Sequence, residues 1–512
     1  MPATAAPLYA PPTATAPPRL PIPAKVGGLL KAAMTALEQS RWADAVELTA
    51  AAAVQDIQHE NMTFLASAAG AGVIGELYES AFGGAANQQI SQAANETVGA
   101  EASRTHLAAS PRCHLATVLA RPLRVLYIHP GLSPGQAATD RLLNVVERHD
   151  RSRIAPMVLC TEEFTSRVPA LRYLQWPHAP SSAHAAAQAR LRSAGAPPTI
   201  IQPLGSYLDS ARAAVEAARA MSPDIAVFIA SAACPVQALM ALQRVAPVQI
   251  NQNIGSPLIV RGMDAAIYRN PSRLRDDSTE LARRGIEGID LPAAGTDLHA
   301  ADAARAVPRA VLGVPTDAVL FVSAGNKLAE RLTMGSFAAD LAEFLKQHSK
   351  AWWMGVGAGD FTMARAVFAA AGVQRRVVLV GGQSDIRPHL KAADAYLNEY
   401  PEGGSNTVLE AMACGVPVLA VKPADGAAVS HCAGIGAEIV GDDAVSLGDY
   451  WATASNWLRD AAERRRIAAR AIGKARTRFG FDALVGDYEA IYTRLARGTD
   501  TEATHARARA TA

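Results

Sequence analysis

The chain has little charge bias, few aromatics and no cysteine pattern, and each deficit closes off a class of function. Lys and Arg number 49 against 47 Asp and Glu, a net charge of +2, so no bulk field exists to gather nucleic acid. Five cysteines (Cys113, Cys160, Cys234, Cys414, Cys432) include no CxxC pair and leave one over, which excludes a disulfide framework and fits reduced thiols in a cytoplasm. Aromatics are only 5% of residues, so the many alanines must close the helix packing. The N-terminus "MPATAAPLYAPPTATAPPRLPIPAK" lacks the basic start and apolar run of a signal peptide. Long hydrophobic runs are also missing. The most apolar stretch, Ile225 to Leu242, carries Ser231, Pro235 and Gln237 and divides into strand, turn and helix, so a membrane span is excluded.

What is present suits a large soluble protein. Half of the 512 residues are hydrophobic and 19% are charged, too much chain for one ordinary core. Residues 1–25 read as a disordered Pro/Ala-rich lead. Residues 26–120 read as helical, with apolar positions three and four apart in "LLKAAMTALEQSRWADAVELTAAAA". Trp42-Ala43-Asp44-Ala45 faintly matches one helix of a tetratricopeptide unit, but no second copy follows and plain helical packing is favoured.

At Leu123 the pattern changes. "LRVLYIHPG", a loop, "RLLNVVERH" and "APMVLC" make a strand–helix–strand unit, the mark of a parallel α/β sheet. The alternation runs on through "PTIIQPL", "DIAVFIAS" and "APVQINQNIG" and weakens after Asp264. A second series opens with "AVLFVSAGN" and runs through "AWWMGVGAG", "RVVLVGG", "AYLNEYP" and "VPVLAV". The expected architecture is α/β: two facing Rossmann-like domains, at 121–300 and 301–480, behind the helical region. A C-terminal helix at 481–497 and a disordered tail at 498–512 complete it.

The stretch "YPEGGSNTVLEAMACGVPVLAV", Tyr400 to Val421, carries the chemistry. Gly403 and Gly404 permit a tight turn after a strand, and Ser405, Asn406 and Thr407 open a helix. Backbone N–H groups and the helix dipole there make an anion site, with phosphate the expected occupant. Two carboxylates flank it, Glu402 and Glu410. The competing account is structural: Thr407 and Glu410 satisfy a capping box, and Glu402 is then an ordinary solvated loop acid.

"PEGGSNTVLEAMACGVPVLA" resembles the donor-site signature of the GT-B, two-Rossmann glycosyltransferases, in particular the large retaining group 1 family with a Glu-x7-Glu motif. The resemblance covers about Ala310 to Leu495. It implies that Glu402 lies by the donor sugar's hydroxyls, that Glu410 binds the nucleotide's ribose, and that Gly403 to Thr407 approach the diphosphate. "VLFVSAGNKLAERLT" and "APVQINQNIGSP" also look like protein glycosyltransferases of the O-GlcNAc-transferase and HMW-adhesin type, which lack the paired glutamates and invert. The two likenesses imply opposite stereochemistry.

The resemblance places a basic pair after the first donor-domain strand, where Lys327 and Arg331 stand, and lets Gly381, Gly382 and Gln383 meet the nucleobase. Solvated charges and an ordinary turn are the alternatives at those positions. In the first domain, "HPGLSPGQAATD" occupies the acceptor loop, with His129 as general base or sugar-orienting group and Gly131 and Gly135 shaping the turn. His129 could equally be a packed core residue. No DxD motif is apparent, and the Asp276-Asp277 and Asp442-Asp443 pairs read as loops, so no metal and no cofactor is expected.

The expected activity is therefore sugar transfer from a nucleotide-sugar donor, such as a UDP-sugar, to a glycan, lipid or protein acceptor, in a bacterial cytoplasmic enzyme. The alternatives are a sugar-nucleotide epimerase or a non-catalytic binding protein. No nucleic-acid partner is expected; a protein partner would dock on the helical N-terminal region. The basic run "LRDAAERRRIAARAIGKARTRF" suits a solvated helix better than a membrane-surface contact.

Overall fold

The computed structural model describes residues 121–497, except 133–136, 163–180, 202–206, 231–233, 253–257, 261, 269–270, 292–294 and 423–430, together with Gly28, Ala32 and Thr35. Those last three are helical. The rest of the expected lead and helical region, Trp42 to Ala45 included, lies outside the described residues, as do Gly135 and the tail from 498.

The first domain runs β1 (Leu123–His129), α1 (Ala137–Arg148), β2 (Ile154–Cys160), α2 (Ser181–Ser193), β3 (Pro198–Ile200), α3 (Tyr207–Ala220), β4 (Ile225–Phe228), α4 (Pro235–Leu242), β5 (Val248–Gln252), β6 (Ala265–Tyr268), α5 (Pro271–Arg284) and β7 (Glu287–Asp290). Its seven strands are parallel in the order β3-β2-β1-β4-β5-β6-β7. Helices cover both faces, which is why β1 and β4 read as apolar runs without alternation. The pattern does not weaken after Asp264. β6 and β7 extend the sheet, but each has four residues, and β7 at the edge buries only Ile289. The Asp276-Asp277 pair lies in α5 and not in a loop, where buried Asp277 accepts a hydrogen bond from the Tyr268 hydroxyl at 3.0 Å.

The second domain runs α6 (Leu298–Ala303), β8 (Val319–Ala324), α7 (Leu328–Arg331), α8 (Phe337–Gln347), β9 (Ala351–Val356), α9 (Thr362–Ala370), β10 (Val377–Gly381), α10 (Arg387–Ala392), β11 (Ala395–Leu397), α11 (Asn406–Ala413), β12 (Val418–Leu419), α12 (His431–Val440), α13 (Tyr450–Arg459) and α14 (Ala461–Lys474). Five parallel strands take the order β10-β9-β8-β11-β12. In both sheets the chain starts in the middle, builds one way, then returns to build the other. The reversals fall between β1 and β4 and between β8 and β11, and at such points a crevice opens beyond the carboxyl ends of the strands. Most of the basic run forms α14, with Ile467 and Ala471 buried and Arg465, Arg466 and Arg470 exposed, while Lys474 donates to the Val440 carbonyl.

A last helix, α15 (Phe481–Ala496), leaves the second domain and packs on the first. Its Phe481, Leu484, Val485, Tyr488 and Tyr492 join the core beneath β1 and α1. Two chain segments cross at the junction: Thr296 donates to the Phe479 carbonyl at 2.8 Å, and the Phe481 N–H returns to the Thr296 carbonyl at 3.2 Å. The crossing is tight enough that a Cβ at Gly295 would lie 2.6 Å from the Phe481 ring.

Candidate functional site

The crevice beyond β8 and β11 gathers most of the residues singled out in the sequence. After β8 the chain passes Gly325, Asn326 and Lys327 before the single turn of α7. A Cβ on Gly325 would sit 3.1 Å from Arg331 Nη1, so the glycine leaves room for the guanidinium to fold back over the loop. Lys327 is exposed at the start of α7. Arg331 is mostly buried and faces two acids: Glu399 Oε2 lies 3.6 Å from Nη1, and Glu402 Oε1 lies 3.9 Å from Nε. Arg331 and Glu402 are thus neighbours, which the sequence spacing did not reveal.

The loop after β11 is held from three sides. Asn398 Oδ1 accepts the Gly404 N–H at 2.7 Å, and the Asn398 carbonyl accepts from the Tyr450 hydroxyl at 2.9 Å. The Tyr396 hydroxyl lies 3.1 Å from the Ala324 carbonyl and 2.9 Å from Thr407 Oγ1, tying the end of β8 to the first turn of α11. Gly436 of α12 closes the third side, since a Cβ there would meet Asn398 Nδ2 at 2.5 Å and the Gly404 carbonyl at 2.7 Å. Gly403 and Gly404 are buried, while Ser405, Asn406 and Thr407 are half-buried at the helix start.

This geometry decides against the capping-box account. The N-cap of α11 is Ser405, Thr407 lies inside the helix with its hydroxyl engaged by Tyr396, and Glu410 points elsewhere. Glu410 Oε1 lies 3.7 Å from Arg387 Nη2 of α10, with Asp385 and, from α1 of the first domain, Asp140 also acting on it. Burial pushes its carboxyl up to about 7; Arg387 opposes the rise, and Asp140 and Asp385 add to it. Its side chain still keeps 28% exposure, so an arriving ligand can reach it. Glu402 is not a solvated loop acid either, being 5% exposed.

Sequence reasoning missed two residues. Glu399 has no exposed side-chain surface, and burial pushes its carboxyl up to about 7 in spite of Arg331. Arg387 bridges Asp385, at 3.0 Å, and Glu410. Neither falls in a recognisable spacing; Glu399 shows itself through Arg331 and Arg387 through Glu410, each far away in the chain. Gly381 ends β10, two strands from β8, and Gly382 and Gln383 follow it, both exposed. Gly381 has φ +81°, a conformation that favours glycine, and its carbonyl accepts the Gly357 N–H at 3.0 Å.

The first domain corrects one expectation. His129 ends β1 with no exposed surface, and burial beside the Arg141 guanidinium pushes its imidazole down to about 3. A group so reluctant to accept a proton is a poor general base near neutral pH. Its Nδ1 instead accepts the Gly131 N–H at 3.2 Å and its carbonyl accepts the Thr161 N–H at 2.9 Å, so it shapes the loop. Gly131 is buried at the start of that loop. Among the described residues no three His, Cys, Asp or Glu side chains are grouped to hold a metal ion, and no helix is long and apolar enough to cross a membrane.

Residues 317–445, from the approach to β8 through the Glu402–Glu410 loop, match the model of the family described as glycosyl transferases group 1. The matched stretch lies wholly within the second domain. No curated protein matches in sequence. Among solved structures, a point mutant of the O-GlcNAc transferase of Thermobaculum terrenum is 16% identical, with 94% of this chain and 100% of that one covered at a TM-score of 0.51. The Anabaena protein HepE in complex with UDP is 17% identical, covering 72% and 99% at 0.52. A glycosyltransferase from Rickettsia africae is 14% identical, covering 74% and 100% at 0.54. At these identities the likeness establishes the fold alone: two Rossmann-like domains in the GT-B arrangement.

Proposed function

We propose that this enzyme transfers a sugar from a nucleotide-sugar donor, bound at the carboxyl edge of the second sheet, to an acceptor held by the first domain. The observation that carries the reading is the convergence at one crevice of Arg331, Glu402, the α11 N-terminus and Glu410, all inside the family match. The N-terminal N–H groups of α11 at Ser405, Asn406 and Thr407, with Lys327 and Arg331, take the diphosphate and stabilise it as it leaves. Glu410 accepts from the ribose hydroxyls, Glu402 meets the sugar, and the exposed Gly381–Gln383 loop reads the base. The bond from the sugar's anomeric carbon to the diphosphate breaks and one to an acceptor oxygen or nitrogen forms, the acceptor's proton passing to a base or to water. With cationic side chains and a helix terminus at the leaving group, the reading assigns the step no metal. UDP is the first nucleotide to try, because a neighbour of the same fold was solved with it.

The test is a thermal-shift screen against UDP, GDP, ADP and their glucose conjugates without added metal, followed by product analysis with the donor that binds. A selective rise in Tm with hydrolysis or transfer of the sugar is expected. Isomerised donor would make the protein an epimerase, binding without turnover would make it a scaffold, and no shift with any nucleotide at millimolar concentration would remove the donor site.

A further inference from the structure

Glu399 sits three residues before Glu402 and has no counterpart among the roles assigned above. Its side chain is wholly buried, and neither carboxylate oxygen has a conventional hydrogen-bond partner. The cation that faces it is Arg331, 3.6 Å away, and Arg331 is shared with Glu402 at 3.9 Å. One guanidinium therefore answers two carboxylates. The other groups that act on Glu399 include the Glu402 carboxylate, which repels it, the buried phenols of Tyr396 on β11 and Tyr450 on α13, both held neutral by burial, and the nearby backbone of Glu399 and Gly404. A buried, weakly solvated carboxylate is costly, and an uncharged side chain would fill the same space at lower cost.

The arrangement acquires a purpose when an anion arrives at Arg331. A diphosphate brings about two negative charges and competes for the guanidinium, and both effects favour the protonated form of the acid behind it. We propose that Glu399 is a proton-linked positioning residue: it holds Arg331 from behind in the free enzyme and takes one proton from solvent when the donor's diphosphate engages that arginine. This rests on the donor-site reading above. The proton is the only atom exchanged; its source is water or buffer. Burial pushes the Glu399 carboxyl up to about 7, so well above neutral pH it is ionised and donor binding must protonate it. Glu410 acts in the opposite sense, since it serves the ribose as a carboxylate, but at pH 8 it is already largely ionised and does not mask the effect.

The experiment is isothermal titration of UDP-glucose, GDP-glucose and ADP-glucose into the full chain at pH 8, without acceptor, in HEPES and in Tris. These donors carry no phosphate that titrates near neutrality, so a buffer-dependent heat reports a protein group. The expected result is uptake of about one proton and a Kd that rises by up to about tenfold per pH unit above pH 8. Glu399→Gln should bind with no uptake and a flat pH dependence, and Glu399→Asp should restore part of the uptake. A residue that merely braced Arg331 would weaken binding at every pH without changing the slope. Binding with the same heat in both buffers overturns the proposal, even if Glu399→Gln fails to fold, and so does uptake that persists in Glu399→Gln. Failure of all three donors to bind overturns the donor-site reading itself, and the proposal with it.

Discussion

At Gly404 a single methyl group would stand 2.2 Å from Thr407 Oγ1 and 3.3 Å from the Tyr396 hydroxyl, the two groups that join β8 to α11. Gly404→Ala must therefore push the helix start out of position. It should cost about 1–3 kcal/mol of stability and lower donor affinity at least about tenfold, because N–H groups aimed at a phosphate lose strength steeply with misalignment. Urea denaturation and a nucleotide titration would read the two effects, and unchanged affinity would show that the diphosphate does not use this turn. The tight turn at the glycine pair was legible in the sequence, because a diglycine between a strand and a helix start lets the backbone fold back without a side-chain clash. Glu399 and Arg387 were not. A lone Glu in "LNEYP" or Arg in "DIRPH" looks like any surface charge until folding sets Arg331 beside one and Glu410 beside the other. His129 stood open between chemistry and packing in the sequence; the structure buries it beside Arg141, with Nδ1 accepting the Gly131 N–H.

Among the elements, α15 has the plainest energetic role. Glu489, 3% exposed, accepts the Asp150 N–H at 2.9 Å and lies 3.0 Å from both His149 Nδ1 and Arg153 Nη1. On the far side of His149, Nε2 meets the Tyr127 hydroxyl at 2.6 Å, and Tyr488 accepts from Gln252 at 2.6 Å. This polar network pins the last helix to the first sheet. Glu489→Ala should destabilise the protein by about 2–3 kcal/mol, mostly by leaving the Asp150 N–H and His149 without their acceptor. Burial already holds His149 below its ordinary 6.5, with Glu489 resisting. Stability therefore falls as pH drops below about 6.5, where the unfolded chain binds the proton and the folded one does not, and it should fall further in the variant. Denaturation at pH 7.5 and at pH 5.5 measures both, and equal losses at the two values would count against the His149 link. The helix itself was readable from "FDALVGDYEAIYTRL"; β6 and β7 were not, because four-residue strands carry too few positions to show a period.

For the molecule as a whole, the two domains meet electrostatically at the crevice. Asp140 of α1 acts on Glu410 of α11 and helps hold its carboxyl up at about 7. Asp140→Asn should release part of that repulsion and lower the Glu410 pKa, so that more of it is ionised between pH 6 and 7. Donor affinity at pH 6 should then rise by about two- to fivefold, with little change at pH 8. Nucleotide-sugar titrations at the two pH values would show it, and an equal effect at both would mean that Asp140 acts some other way. The result would be informative because Asp140 belongs to the domain that does not carry the donor loop.

The two α/β series, the tight turn at Gly403-Gly404 and the glutamates on either side of it were determined by the sequence alone, since each depends on residues within one or two elements. Backbone freedom, apolar periodicity and helix-start chemistry are local properties, and they survive without knowledge of the fold. What only the tertiary structure decided was which charges share a pocket. The reversal of strand order between β8 and β11 brings Arg331 against Glu399 and Glu402 from about seventy residues away, and the same fold sets Arg387 and Asp140 around Glu410. A charge's protonation and its partner depend on distance and burial, and those exist only once the sheets have formed.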